Sequence, residues 1–159
     1  MAISAGDRVP SVNLKELTSE GIQDVATDEL FGGKKTVIFA VPGAFTPLCS
    51  AQHLPGFIDH ADAILAKGAD QIVCVAVNDP FVMDCWGQDR GAGDKVRLLS
   101  DGNAEFARAI GLEMDGSGAG LGTRCKRFAA IVDDGVVSLI NVDERGFEGS
   151  KAETILAAL

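Results

Sequence analysis

Two continuous apolar runs dominate the pattern of hydrophobic and polar positions in the first half of the chain. KKTVIFAV (34–41) and QIVCVAVND (71–79) are rich in β-branched residues, and their apolar stretches do not alternate with polar positions. Such runs are typical of strands that are covered on both faces. The alternating SVNLKEL (11–17) predicts an early edge strand, and KVRLLSD (95–101) predicts a further strand.

Helical segments separate these strands. TPLCSAQHLPGFIDHADAILAKG (46–68) predicts a helix that ends at Gly68. Pro55 is expected to kink this helix, because proline removes a backbone donor and clashes with the preceding turn. Two more helices are predicted at DPFVMDCWGQDRG (79–91), where an Asp cap precedes a proline, and at NAEFARAIG (103–111).

Capping patterns mark two shorter helical segments. TDELFGG (27–33) predicts a short helix or turn, with Thr27 as its N-cap and glycine as its stop. SKAETILAAL (150–159) predicts a final helix, with Ser150 as the N-cap and Glu153 completing a capping box. In both segments a hydroxyl is expected at the start of the helix.

The order of these elements predicts the fold class. RFAAIVDDGVVSLINV (127–142) is expected to form a hairpin around DDG. Long helices between buried strands imply parallel crossovers, and the hairpin adds antiparallel pairing. We therefore expect an α/β protein with a mixed central sheet flanked by helices on both faces, in a single domain over residues 1–159. In such sheets the reactive site tends to lie beyond the carboxyl ends of the strands.

Composition narrows the classes of function. Apolar residues make up 47% and charged residues 23% of the chain, and the formal net charge is -9. This charge disfavours nucleic acid and anionic membranes as partners. There is no apolar run of about 18 residues and no basic segment leading into an apolar one at the start, so we expect a cytoplasmic protein with reduced thiols. The cysteines form no C-x-x-C pair and no zinc-type cluster, so no metal or other cofactor is expected.

One cysteine has an unusual setting, in VPGAFTPLCS (41–50), directly after a buried strand. Thr46 is a good N-cap and Pro47 a good first helical residue, which places Cys49 in the first turn. Backbone N–H groups without intrahelical partners and the helix dipole both favour a thiolate there. The alternative is that Cys49 is a small apolar residue that packs the start of the helix.

The same residues resemble a known family. PGAFTPLCS is similar to the peroxiredoxin signature P-x-x-x-T-x-x-C, and VPGAFTPLCSAQHLPGF resembles the type II, or peroxiredoxin-5-like, subfamily. The likeness extends along the chain through GDRVPSVNL, VNDPFVM, KVRLLSDGNAEFARAIGL, GLGTRCKRFAAIVDDG and INV. It implies a thioredoxin-like fold and a thiol peroxidase that reduces hydrogen peroxide and organic hydroperoxides.

The resemblance also implies roles for four residues. Cys49 would attack the peroxide, Thr46 would hydrogen-bond it, Pro42 would shield the thiolate, and Arg127 would steady the charge on sulfur and oxygen. Thr46 and Pro42 could instead be only a cap and a turn residue, and Arg127 could pair with a surface carboxylate. Arg124 is the alternative arginine, although the spacing to RF favours Arg127.

The chain departs from some subfamily members in its C-terminal segment, NVDERGFEGSKAETILAAL, which has no resolving cysteine. Cys74 is expected to be buried in its strand and Cys85 to pack beside Trp86, whereas Cys125 lies between two basic residues and could be partly ionised. We therefore expect an external thiol, from glutaredoxin with glutathione or from thioredoxin, to recycle Cys49. The resemblance also implies a homodimer.

Three other interpretations concern His53, the thiol of Cys49 and a glycine-rich segment. His53 lies four residues after Cys49, the spacing of a Cys–His hydrolase on one helix face. A non-catalytic redox sensor or interaction protein could use the same thiol. GSGAGLG (116–122) looks like a phosphate-binding loop but has no G-x-G-x-x-G frame, so a flexible loop is expected there.

Overall fold

The structure, a computed structural model, describes residues Met1–Leu159 and contains nine strands. The strands are β1 Asn13–Thr18, β2 Gly21–Ala26, β3 Lys35–Ala40, β4 Gln71–Ala76, β5 Arg97–Ser100, β6 Glu113–Asp115, β7 Thr123–Cys125, β8 Arg127–Asp133 and β9 Val136–Asp143. The α-helices are α1 Thr27–Phe31, α2 Leu54–Asp59, α3 Ala61–Ala66, α4 Pro80–Arg90, α5 Glu105–Ala109 and α6 Ala152–Ala158. None of these helices combines the length and the apolar character that a bilayer-spanning segment needs.

Seven strands form one mixed sheet in the order β2-β1-β5-β4-β3-β8-β9. Strands β3, β4 and β5 are parallel, whereas β8 runs antiparallel to β3 and forms the predicted hairpin with β9. The DDG turn of that hairpin holds Asp134 and Gly135 at positive φ, the geometry that favours these residue types. The predicted mixed sheet is confirmed, and the architecture is the α/β thioredoxin-like fold.

The core lies on both faces of this sheet. Along β3, Val37 and Phe39 belong to one apolar cluster, and Ile38 and Ala40 belong to the other. Helices α2, α3, α4 and α6 contribute to the first cluster, and α1 and α5 contribute to the second. Burial of one large apolar side chain contributes about 1.5–3 kcal/mol, so the continuous apolar run is stable only when both faces are covered.

The prediction that SVNLKEL forms an edge strand is wrong. Strand β1 lies between β2 and β5, and the edge is β2, which the sequence pattern did not predict. Most of β2 is exposed or half-buried and only Val25 is buried, so its residues carry no clear alternation of apolar and polar positions. Leu14 is fully buried, as an inner strand requires.

Both hydroxyl caps predicted for the short helices are wrong. The N-cap of α1 is Ala26, and the Thr27 hydroxyl instead donates to the carbonyl of Pro10 at 2.7 Å. The N-cap of α6 is Lys151, so Ser150 and Glu153 form no capping box. By contrast, α4 has the predicted cap, since the Asp79 carboxylate accepts a hydrogen bond from the backbone N–H of Val82 at 2.9 Å.

The long helix predicted for residues 46–68 is divided into several parts. It begins at Pro47, widens into a π-helical turn at Cys49–His53, and continues as α2 and α3, which His60 separates. Pro55 lies in the first turn of α2, just after this π turn. Proline offers no N–H to the preceding turn, so the helix is distorted there. The distortion predicted at Pro55 is this π turn.

The glycine-rich segment 116–122 joins β6 to β7, which pair with each other outside the main sheet. It contains a short 3₁₀ turn at Ser117–Ala119 and opens no helix that could bind a phosphate. The sequence predicted a loop here but did not predict the two strands, each of which has only three residues.

Candidate functional site

Cys49 lies beyond the carboxyl end of β3, where the chain turns into the helix that begins at Pro47. As predicted, the cysteine is in the first turn of that helix. Cys49 is 1% exposed and belongs to the apolar cluster beneath α2 and α4. A buried cysteine at a helix start could still be simple packing, so its polar neighbours decide what it can do.

Arg127 provides the decisive neighbour. It is the first residue of β8, and β8 pairs with β3 so that Phe128 lies opposite Ala40. This register brings the arginine to the end of β3, where its Nη2 donates to the sulfur of Cys49 at 2.9 Å. The residue is 7% exposed, so water screens its charge weakly. A guanidinium in this position places a positive charge and an N–H donor directly against the sulfur.

His53 is the second partner of Arg127. Its Nδ1 accepts a hydrogen bond from Arg127 Nη1 at 2.5 Å, and its Nε2 lies 3.0 Å from the backbone oxygen of Ser150. A carbonyl can only accept, so the proton is on Nε2 and the ring is neutral. Burial, reinforced by the Arg127 charge, lowers the pKa of His53 to about 4 despite its bond to Ser150.

The position of His53 argues against the Cys–His hydrolase. Both ring nitrogens are occupied by Arg127 and Ser150, and neither bonds to Cys49. The i,i+4 spacing did indicate that His53 lies near the thiol. It could not indicate that the imidazole holds the arginine rather than the cysteine, because Arg127 is 74 residues away in sequence.

Ser150 is held in place by Asp143 at the end of β9. The Asp143 carboxylate accepts hydrogen bonds from the backbone N–H and the hydroxyl of Ser150, at 2.8 and 2.6 Å. Ser150 is fully buried. The residue predicted as a helix cap therefore fixes the carbonyl that orients His53, a role that no sequence motif indicates.

Pro42 and Thr46 belong to the turn that precedes the helix. The Thr46 hydroxyl donates to the carbonyl of Gly43 at 2.6 Å, so it does not act as the predicted side-chain cap. Arg124 donates to the carbonyl of Pro42 at 3.2 Å and to that of Leu121 at 2.9 Å. Arg124 thus supports the turn, whereas Arg127 contacts the sulfur, as the spacing to RF predicted.

Two side chains of α4 hold the residue that follows Cys49. The indole Nε1 of Trp86, which is fully buried, donates to the Ser50 hydroxyl at 2.8 Å. Arg90 Nη1 donates to the Ser50 carbonyl at 3.3 Å. The π turn is therefore anchored to α4 at the residue that follows Cys49.

The other three cysteines differ in exposure. Cys74 is fully buried, as expected, and burial together with the nearby Cys49 raises the pKa of its thiol well above the ordinary value. Cys125 is also buried, and burial raises the pKa of its thiol to about 12, so the prediction of partial ionisation is wrong. Cys85 is exposed on α4 and does not pack against the core as predicted.

Comparison with known proteins gives the class of this fold and site. Residues 4–156 match the Redoxin family. Peroxiredoxin-2E, chloroplastic, of Arabidopsis thaliana is 47% identical over 163 residues, which cover 99% of this chain and 70% of that protein. Peroxiredoxin-2B of the same plant is 43% identical, covering 99% and 98% of the two chains.

Solved structures agree with this assignment. The crystal structure of reduced Prx3 in complex with H2O2 from Vibrio vulnificus has a TM-score of 0.95 at 52% identity, covering 98% of each chain. Peroxiredoxin 5 from Alvinella pompejana has a TM-score of 0.87 at 31% identity, covering 98% of this chain and 97% of that one. The chain belongs to the Redoxin family and, within it, to the type II peroxiredoxins. It is a thiol peroxidase, and its substrate is a peroxide.

Proposed function

We propose that Cys49 is the peroxidatic cysteine of this thiol peroxidase and that Arg127, Thr46 and Pro42 complete its active site. The observation that carries the proposal is the 2.9 Å contact between Arg127 Nη2 and the Cys49 sulfur in a site where the cysteine is 1% exposed. The guanidinium sets a positive charge and an N–H donor against the sulfur that attacks the peroxide.

The first half of the reaction transfers one oxygen to sulfur. The Cys49 thiolate attacks one peroxide oxygen, the O–O bond breaks, and the second oxygen leaves as an alkoxide or hydroxide that takes up a proton. Arg127 stabilises the negative charge that moves from sulfur to the leaving oxygen. The Thr46 hydroxyl donates a hydrogen bond to the carbonyl of Gly43, and its oxygen keeps lone pairs that can accept a hydrogen bond from the hydroperoxide. Pro42 shields the thiolate from water.

The resulting sulfenic acid needs a thiol to return to the reduced state. We propose an external donor, either glutathione with glutaredoxin or thioredoxin. Cys74 and Cys125 are buried and have raised thiol pKa values, so both are poor attacking thiols. The C-terminal segment holds no cysteine.

Sulfenic acid trapping tests these assignments. Reduced protein receives one equivalent of hydrogen peroxide and a sulfenic-acid trap, and every cysteine is then mapped by peptide mass spectrometry. We expect an adduct on Cys49 and none on the Cys49→Ser variant. An unreacted Cys49 would remove the proposal, and an internal disulfide from Cys49 to Cys74 would replace the external thiol with an internal one.

We further propose that the chain is one domain over residues 1–159, that it works in the cytoplasm, and that it forms a homodimer. Exposed aromatic side chains near the active-site turn support the dimer. Phe45 is 48% and Phe81 59% exposed, and the hydrogen bond from Ala44 N–H to Asn78 Oδ1 joins the segments that carry them. Exposed apolar patches often mark protein interfaces. Sedimentation analysis should show a dimer that Phe81→Glu weakens and Ile22→Glu, on the edge strand, leaves intact.

A further inference from the structure

One surface pocket shares residues with the proposed active site. It has a volume of 240 Å³, and Pro42 and Arg127 form part of its wall. Leu48, the residue before Cys49, forms another part, and Lys126 and Arg145 border the pocket as well. Arg127 thus lines this pocket and also contacts the Cys49 sulfur, which lies 2.9 Å from its Nη2.

The charges around the pocket leave an excess of positive charge. The Asp143 carboxylate already accepts hydrogen bonds from Gly149 and Ser150. Lys126 and Glu144 pair with each other at 3.2 Å on the surface. Arg145 has no carboxylate within salt-bridge distance, and it is exposed. This local surplus stands out in a chain whose net charge is -9.

We propose that this pocket, named the Arg145 pocket, binds a carboxylate of a small anionic thiol that reduces oxidised Cys49. The inference rests on the proposed function and specifies the external donor as an acidic peptide thiol of the glutathione type. Arginine presents a planar set of donors that matches a carboxylate, and the excess charge attracts an anion.

The covalent arrangement of glutathione suits a pocket that holds both Arg145 and Arg127. One extended residue spans about 3.5 Å, and in glutathione the cysteine residue is next to the glycine that carries the carboxylate. A carboxylate held at Arg145 therefore places the thiol about one residue away in the same pocket, whose wall includes Arg127, the residue that contacts the sulfur. Because Cys49 is 1% exposed, a small thiol entering from an adjoining pocket can approach it more readily than a thiol on a protein surface.

The chemistry balances with two molecules of this donor. The first thiolate attacks the sulfenic sulfur, a disulfide between Cys49 and the donor forms, and the hydroxyl leaves as water after taking up a proton. A second donor molecule attacks the sulfur of the bound donor, which releases the Cys49 thiolate and the oxidised donor disulfide. The donor thiols lose two electrons in total, which reduce the sulfenic acid to the thiolate.

A charge-reversal experiment tests the proposal. Cys49 is oxidised with one equivalent of hydrogen peroxide in a single turnover, and its reduction by glutathione or by glutathione ethyl ester, which lacks the glycine carboxylate charge, is followed by quenching and mass spectrometry. We expect Arg145→Glu to lower the rate constant with glutathione about three- to tenfold and that with the ester by less than about twofold. Glu144→Gln should raise the glutathione rate.

Lys95→Glu is the matched control, since it makes the same change in net charge at an exposed position outside the pocket. It should leave both rate constants unchanged. Equal losses with glutathione and its ester in Arg145→Glu, or no loss with either, would overturn the proposal. So would wild-type protein whose oxidised Cys49 is reduced only by a protein thiol. Failure of Cys49 to be oxidised at all would instead contradict the proposed function.

Discussion

The imidazole of His53 accepts a hydrogen bond from the guanidinium of Arg127, with Nδ1 and Nη1 2.5 Å apart. The same guanidinium donates to the Cys49 sulfur through its other terminal nitrogen. His53 therefore acts on the sulfur only through the arginine that it positions. Its neutral form is essential to this arrangement, because a protonated ring would have no acceptor to offer.

Removal of that acceptor should slow the reaction with peroxide. We expect His53→Leu to lower kcat/KM about tenfold or more, since a hydrogen bond to a charged group contributes about 1.5–3 kcal/mol. His53→Gln retains an acceptor oxygen and should recover part of the activity. The assay is the initial rate with hydrogen peroxide and dithiothreitol.

His60→Gln is the control for this prediction, because His60 is the other histidine of the chain and is partly exposed. It should leave the rate unchanged. If His53→Leu retained full activity, Arg127 would not need the imidazole to hold its position.

The stability of the protein should fall in weak acid because of His53. Its pKa is about 4 when folded, below the ordinary value of 6.5. Between about pH 6.5 and pH 4 the unfolded state therefore binds more protons at this residue than the folded state does. The free energy of unfolding decreases as pH falls through this window and has its maximum contribution from His53 above it. At pH 4.5 this proton uptake lowers the free energy of unfolding by about 2–3 kcal/mol relative to neutral pH.

Urea unfolding at pH 7.5 and 4.5 measures this effect. The other titrating groups are present in both wild type and His53→Gln, so the difference between the two proteins reports on the histidine. Wild type should lose more stability than the variant on acidification. Parallel losses in the two proteins would mean that His53 is not buried in its neutral form.

The active-site turn should not tolerate a side chain at Gly43. A Cβ there would lie 2.9 Å from Arg124 Nη1 and 3.1 Å from Thr46 Cγ2, closer than ordinary contacts. Gly43→Ala must therefore shift one of these groups, at a cost of roughly 1 kcal/mol, and we expect a loss of about fivefold in kcat/KM.

Gly118→Ala provides the comparison, because no atom lies within 4 Å of a Cβ at that position. Its rate should match wild type. Arg124→Ala in the Gly43→Ala background should restore part of the loss, because it removes the nearer of the two contacts. A fully active Gly43→Ala protein would show that the turn adjusts freely.

The bond between Trp86 and Ser50 should contribute to stability. In Ser50→Ala the buried indole N–H loses its acceptor, and an unsatisfied buried donor costs about 1–3 kcal/mol. Urea unfolding followed by circular dichroism should show this loss. Ser19→Ala, at an exposed turn between β1 and β2, should be neutral. Equal stabilities of the two variants would mean that the indole finds another acceptor.

The cysteines should separate by reactivity. Iodoacetamide at pH 8 should label Cys85 in the native protein, since it is exposed. Cys74 and Cys125 should remain unlabelled until guanidinium is added, because both are buried and both have raised thiol pKa values. Peptide mass spectrometry gives the extent at each site. Labelling of Cys125 in the native protein at the rate of Cys85 would contradict the burial.

The central fold was predictable because its signals are local. Buried parallel strands such as β3 and β4 are continuous apolar runs, and Asp79 with Pro80 marks a helix start without reference to the rest of the chain. The edge strand β2 was missed because its largely exposed residues impose no pattern. Thr27 and Ser150 look like helix caps in sequence, but other polar groups compete for their hydroxyls.

The site was predictable only as far as its motif extends. Cys49, Thr46 and Pro42 lie in one short segment, and Arg127 was identified through the resemblance of GLGTRCKRFAAIVDDG, which contains it, to the family. The role of His53 depends on Ser150, which is 97 residues away, and the position of Ser150 depends in turn on Asp143. No local pattern encodes a chain of contacts between distant residues.

The hydrogen bond from Trp86 to Ser50 also makes the protein its own optical reporter. Trp86 is the sole tryptophan and the chain has no tyrosine, so fluorescence excited at wavelengths that phenylalanine does not absorb comes from one indole, which bonds to the residue after Cys49. Any rearrangement around Ser50 changes the polarity and hydrogen bonding of that ring. The proposed oxidation and recycling of Cys49 should thus be measurable in a stopped-flow instrument without an attached dye.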